Sequence, residues 1–125
     1  MTEPNFLPLF RNEPTSVTLR AGEVLFKRGD PALHMYVVKS GTIRLGDGNV
    51  VFEDVEAGGI FGEMALVDHG GRSIGAIAVT ECELAMVDER RFLSMVQQMP
   101  LFSLNVLKVV MRRLRAMNTR HGGVT

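Results

Sequence analysis

The chain is poor in several features whose absence is informative. It has one cysteine, Cys82, among 125 residues. An intramolecular disulfide is therefore impossible, which excludes the small disulfide-stapled secreted scaffolds and fits a reducing compartment. It has no net charge, because 14 Lys+Arg balance 14 Asp+Glu, and this excludes a generally basic nucleic-acid binder. No apolar run approaches the roughly 20 residues of a membrane span. The start, Met1-Thr2-Glu3-Pro4-Asn5, lacks the basic stretch and apolar run of a signal peptide. There is no internal repeat and no low-complexity stretch. What is present is a 46% apolar composition, which argues against disorder. The length suits one domain able to bury about two thirds of its unfolded surface. These points lead to the expectation of a soluble, cytoplasmic, single-domain protein.

The charge is unevenly placed. Residues 101–125 carry five basic side chains, Lys108, Arg112, Arg113, Arg115 and Arg120, and no acidic one. Glycine recurs between short Val-, Ile-, Leu- and Phe-rich segments, the punctuation of an all-β sandwich or barrel. The pattern predicts strands at Val17–Leu19, Glu23–Phe26, Met35–Lys39, Thr42–Leu45, Val50–Val55, Ser73–Val79 and Cys82–Val87. Gly46-Asp47-Gly48-Asn49 reads as a hairpin turn. In the last strand Cys82, Leu84 and Met86 alternate with Glu83, Ala85 and Val87. Cys82 is thus expected in the core as an inert thiol.

After Val87 the period becomes helical. Asp88 is a plausible N-cap, followed by Phe92, Leu93, Val96 and Met99, and Pro100 ends or bends that helix. A second helix is predicted from about Leu101 to Met117 or Asn118. Ser103, Leu107, Val110, Leu114 and Met117 are spaced 4, 3, 4, 3 along it, a short heptad seam. Near the start, Phe6, Leu7, Leu9 and Phe10 form an apolar patch that Pro4 and Pro8 restrict to about one helical turn. The patch is expected to pack on the β-roll or on the C-terminal helices.

The densest unusual segment is Phe61-Gly62-Glu63-Met64-Ala65-Leu66-Val67-Asp68-His69-Gly70-Gly71-Arg72-Ser73. A short helical start exposes backbone N–H groups that favour an anion. Arg72 adds a planar fork of donors, and Ser73 adds another. Glu63 would repel a phosphate, so a carboxylate beside an anion site has another task, such as accepting hydrogen bonds from hydroxyls. Phosphate plus hydroxyl describes a nucleotide. A surface Glu63–Arg72 ion pair worth ~0–1 kcal/mol is the plain alternative.

On these residues the chain resembles the cyclic nucleotide-binding domain family, found in the bacterial catabolite activator protein, the regulatory subunits of protein kinase A and cyclic nucleotide-gated channels. FGEMAL, VDHGG and RSIGA, from Phe61 to Ala76, are similar to the family's phosphate-binding cassette. Upstream, Ala21–Asp30, Met35–Gly41 and Ala57–Glu63 are similar to its glycine pattern, and Asp88–Phe92 to the start of its B helix. The resemblance implies a mainly β fold, a double-stranded β-helix (a jelly-roll-like β-roll) of eight strands with flanking C-terminal helices. It implies that Arg72 pairs with the cyclic phosphate, that Glu63 accepts from the ribose 2′-hydroxyl, and that Gly62 lets the backbone approach the ribose. Met64 and Ala65 match positions lining the cassette, and Ser73 matches a small or hydroxyl residue near the phosphate. Asn118 or Thr119, near the end of the helix resembling the family's C helix, is a candidate for the base.

The implied function is a non-catalytic receptor for cAMP, with cGMP as the second choice. The implied partners are a downstream protein and a second copy paired through Leu107, Val110, Leu114 and Met117. Neither DNA nor a metal is expected. Only residues 119–125 follow the long helix, and His34, His69 and His121 form no His-x-His pair. The expected division is an N-terminal apolar segment at 1–16, the binding domain with its B and C helices at 17–118, and a flexible tail at 119–125. The family's usual Ala-Thr after the arginine pair is replaced by Ile74-Gly75, and its usual aspartate before Phe-Gly-Glu by Gly59. Ile74 and Gly75 favour the other reading, a degenerate fold that serves as an interaction or scaffold module without nucleotide, and the intact Glu63 and Arg72 argue against it.

Overall fold

The computed structural model describes residues 3–64, 66 and 70–120, with residues 119 and 120 by their backbone alone. A one-turn helix α1 (Leu7–Phe10) precedes eight strands: β1 (Ser16–Leu19), β2 (Val24–Phe26), β3 (His34–Ser40), β4 (Ile43–Asp47), β5 (Val50–Val55), β6 (Ile60–Phe61), β7 (Gly75–Ala78) and β8 (Cys82–Asp88). Two helices close the chain, α2 (Glu89–Gln98) and α3 (Pro100–Arg120). The strands form two antiparallel four-stranded sheets, ordered β1-β8-β3-β6 and β2-β7-β4-β5. This is the mainly β roll with C-terminal helices that the sequence led us to expect.

Strand alternation builds two cores on opposite faces of the first sheet. On β3, Tyr36 and Val38 point between the sheets, and Met35 and Val37 point toward the helices. On β8, Cys82 and Leu84 join the inter-sheet core while Ala85 and Val87 join the helical one. Burial on both faces explains why β3 reads as a continuous apolar run. Cys82 is buried, and its thiol donates to the carbonyls of Thr42 and Thr80. The turn between β4 and β5 holds Gly48 at φ +61°, the conformation that a tight two-residue hairpin favours.

The N-terminal patch packs where the helices meet. The rings of Phe6 and Phe92 meet Phe102 of α3 edge-on, with centroids 6.1 and 5.7 Å away, and Phe10 lies 6.2 Å from it. Asp88 caps α2 by accepting from the Arg91 N–H at 2.8 Å. Pro100 serves as the first residue of α3, where its missing N–H costs nothing. The helical face differs from the expected seam: Val110 is half-buried and packs on the core beside Val106 and Val109. The outward stripe of α3 is Leu104, Leu107, Met111, Leu114 and Met117, all exposed. Among the described residues, no helix is long and apolar enough to cross a membrane.

Candidate functional site

The cassette residues converge because β6 ends at Phe61 and the chain turns through Gly62 at φ +80°. A Cβ on Gly62 would stand 2.6 Å from an Arg72 Nη and 3.3 Å from the His34 carbonyl. Glycine is therefore required both for the backbone angle and for the close approach of the guanidinium. Beyond it, Glu63 is buried, and the Leu66 N–H donates to the Glu63 carbonyl in the short helical turn. Arg72 is fixed from the far side. Its N–H donates to the Asp30 carbonyl at 2.9 Å, and its own carbonyl accepts from Gly29 at 2.8 Å. The loop between β2 and β3 thus sets the height at which the guanidinium enters.

Arg72 is only 6% exposed. One Nη donates to the His34 carbonyl at 2.6 Å and the other to the Gly62 carbonyl at 3.3 Å. The guanidinium carbon stacks 4.1 Å over the Phe26 ring and lies 5.7 Å from that of Tyr36. Its Nε is buried without a hydrogen-bond partner. Among the described residues no carboxylate forms a salt bridge with it. Burial pushes the Arg72 pKa down, opposed by Tyr36, Glu63 and Asp30. Burial also raises the Tyr36 hydroxyl, opposed by Arg72. A buried cation with an unused donor and no salt-bridged carboxylate among the described residues suits an anion.

A cavity of about 300 Å³ opens here, at the small end of the roughly 300–1,000 Å³ range of ligand pockets. Gly62, Glu63, Met64, Arg72 and Ser73 line one side, and Leu45, Phe52, Ile74 and Met117 the apolar remainder. Six of the seven residues expected in the site can be placed. Gly62, Glu63, Met64, Arg72 and Ser73 share the cavity. Asn118 is half-buried next to Met117 and does not line it, whereas Met117 does. Ala65 lies outside the described residues, as do His69 and the side chain of Thr119. Ile74 packs against the inter-sheet core and forms cavity wall. Gly75 faces Gly46 across the β4–β7 ladder, where an added Cβ would make ordinary contacts at 3.4 Å.

Arg113 joins the site without belonging to the cassette pattern read from the sequence. It reaches from α3 into the cavity wall and donates to Glu63 Oε1 at 2.6 Å through one Nη. Its Nε donates to Glu53 Oε1 at 2.9 Å, and its other Nη donates to the Ile60 carbonyl. Arg112 also holds Glu53, at 2.8 Å. Burial would raise the Glu53 carboxyl, but the bonds from Arg113 and Arg112 outweigh it and hold its pKa below the usual range. Glu53 faces inward because it pairs with buried Leu45, and an irregularity in the β4–β5 ladder follows immediately. Glu53 stands two positions before buried Val55 and shares its strand face. Among the described residues, no cluster of three His, Cys, Asp or Glu side chains is placed to hold a metal.

The family model described as the cyclic nucleotide-binding domain matches residues 9–99. The cyclic AMP receptor protein of Thermus thermophilus is 34% identical over 99 residues, covering 75% of this chain and 46% of that protein. The cAMP-dependent protein kinase regulatory subunit of Blastocladiella emersonii is 36% identical over 77 residues, covering 58% of this chain and 19% of that protein. The crystal structure of the Thermus thermophilus catabolite activator protein superposes with a TM-score of 0.80 at 28% identity, over 93% of this chain and 57% of that one. The chain thus spans about half or less of the length of these curated relatives.

Proposed function

The chain belongs to the cyclic nucleotide-binding domain family, and from that premise we propose that it is a non-catalytic receptor for a cyclic purine nucleotide, cAMP in the first place and cGMP in the second. The observation that carries this reading is the buried Arg72, with an unpartnered Nε and no carboxylate paired to it among the described residues, beside a buried Glu63 in one cavity. Arg72 takes the cyclic phosphate, and Glu63 accepts from the ribose 2′-hydroxyl. Gly62, Met64 and Ser73 form the surrounding wall, and Ala65 is a further contact on its sequence position alone. The base extends toward Phe52 and Met117, the place in the cavity that the sequence assigns to Asn118.

The signal passes through α3. Arg113 joins that helix to the carboxylate that takes the ribose, so nucleotide affinity and helix position are linked, and the linkage acts in both directions. A downstream protein reads the helix. The exposed stripe, which includes Leu107, Leu114 and Met117, pairs with the same stripe of a second copy, and Val110 contributes only its outer edge. Sedimentation of the double variant Leu107→Glu/Leu114→Glu tests the pairing. It should run as a monomer where the parent runs as a dimer, and a monomeric parent refutes the pairing.

Hydrogen exchange with and without cAMP and cGMP tests the receptor reading. Nucleotide should slow exchange in residues 62–73 and along α3. No change in either segment with either nucleotide would overturn it and leave a nucleotide-free interaction module.

A further inference from the structure

We propose that Glu53 is a positioning residue for ribose recognition, acting through Arg113 rather than by touching the nucleotide; this rests on the receptor reading above. The geometry is specific. Glu53 sits on β5, opposite buried Leu45, and points inward under α3. Its Oε1 accepts from Arg113 Nε at 2.9 Å, and its Oε2 accepts from Arg113 Nη at 3.4 Å and from Arg112 at 2.8 Å. The Nε and Nη edge of the Arg113 guanidinium is therefore occupied by one carboxylate. A guanidinium is planar and rigid, so fixing one edge fixes the direction of the remaining Nη. That Nη is the one that meets Glu63 Oε1 at 2.6 Å.

Both ends of this chain of contacts are shielded from water. The side chains of Arg113, Glu53 and Glu63 are 12%, 18% and 5% exposed. Each orientation is therefore held more tightly than in a surface pair, and removing Glu53 leaves the Nε edge of Arg113 buried without its carboxylate. Glu53 thus has two effects. It sets the angle at which Glu63 presents its carboxylate to a hydroxyl, and it clamps α3 over the cavity. Arg112 reinforces the clamp from the outside, where it also meets Glu3 at 2.9 Å. Glu53 is absent from the cavity lining, which separates its role from that of a contact residue.

Comparison of cAMP with 2′-deoxy-cAMP in the parent and in Glu53→Gln tests the role. Glutamine keeps the volume and removes the charge. The parent should prefer the ribonucleotide, and in Glu53→Gln cAMP binding should weaken about tenfold while 2′-deoxy-cAMP binding changes less than threefold. Equal weakening of both ligands would make Glu53 merely structural, and no weakening of either would remove it from the site; both outcomes overturn the proposal. Amide exchange of α3 without nucleotide is the second readout. Exchange across residues 108–116 should accelerate in Glu53→Gln, and unchanged rates would refute the clamp. If the parent binds neither ligand, the receptor reading fails, and the exchange rates alone still decide whether Glu53 holds Arg113.

Discussion

Arg72→Leu gives the sharpest separation between a structural arginine and a phosphate receptor. In the structure the guanidinium makes two carbonyl bonds, at 2.6 and 3.3 Å, and a stack on Phe26. Against these stands its own burial without an ion pair, which pushes its pKa down. Leucine forfeits the bonds but also removes the buried charge, and its methyl groups keep contact with Phe26. The opposing effects are each on the order of 1–3 kcal/mol, so the free protein should lose only about 1 kcal/mol. Nucleotide binding has no such compensation. Losing charge-assisted bonds worth ~1.5–3 kcal/mol each weakens affinity about ten- to a hundredfold or more. At a nucleotide concentration 100 times the parent Kd, the parent gains about 2.7 kcal/mol of stability, and a variant weakened a hundredfold gains only ~0.4 kcal/mol. At roughly 4 °C per kcal/mol for a domain of this size, that is a shift near 10 °C against one of about 2 °C. Differential scanning calorimetry at fixed nucleotide reads both numbers. Equal shifts in parent and variant, or affinities within threefold, would remove Arg72 from the phosphate.

Three further outcomes follow from the same geometry. Gly62→Ala forces a side chain into φ +80° and a Cβ to 2.6 Å from the Arg72 guanidinium. It should cost about 1–2 kcal/mol in the backbone alone and weaken nucleotide binding at least tenfold by titration. Phe102→Ala removes the ring on which Phe6, Phe10 and Phe92 converge. It should cost about 3–5 kcal/mol in denaturant unfolding, and a cost below 1 kcal/mol would contradict the packing described. Acidification should release α3. The folded pKa of Glu53 lies below its unfolded value, so its contribution is complete above the ordinary carboxylate pKa of ~4.3 and disappears as pH falls through the lower folded value. Arg112 and Arg113 face Glu53, with Glu3 and Glu63 beyond them. Protection of α3 amides, corrected for the slower intrinsic exchange in acid, should therefore fall as the pH drops in the parent, and less so in Glu53→Gln.

What the sequence made legible, and what it hid, divides by the range of the interactions involved. Glu63 and Arg72 were legible because a carboxylate and an arginine at fixed spacing in a glycine frame carry their chemistry locally. The Asp88 cap and the alternation of Cys82–Val87 were local too, and the structure reproduces both. Strand β6 is two residues long, too short for any period to register, and it exists because Ile60 and Phe61 pair with Val37 and Tyr36. The heptad count placed Val110 on the outer seam, but a helix packed on a roll buries a stripe set by the roll's surface. Val106, Val109 and Val110 face it. Arg113 was hidden for the same reason. Its partners lie 50 and 60 positions earlier in the chain, and a run of basic residues on a helix gives no sign of carboxylates that only the fold brings beneath it.

The central claim is that this cavity holds a cyclic nucleotide by its phosphate and its ribose. Its most direct test is calorimetric titration of protein freed of carried-over ligand by unfolding and refolding, with cAMP, cGMP and 5′-AMP in parallel. The account predicts saturable binding of a cyclic nucleotide at micromolar or tighter, with 5′-AMP markedly weaker and the heat abolished in Arg72→Leu. No heat with either cyclic nucleotide, from protein that has regained its native circular dichroism, would contradict it.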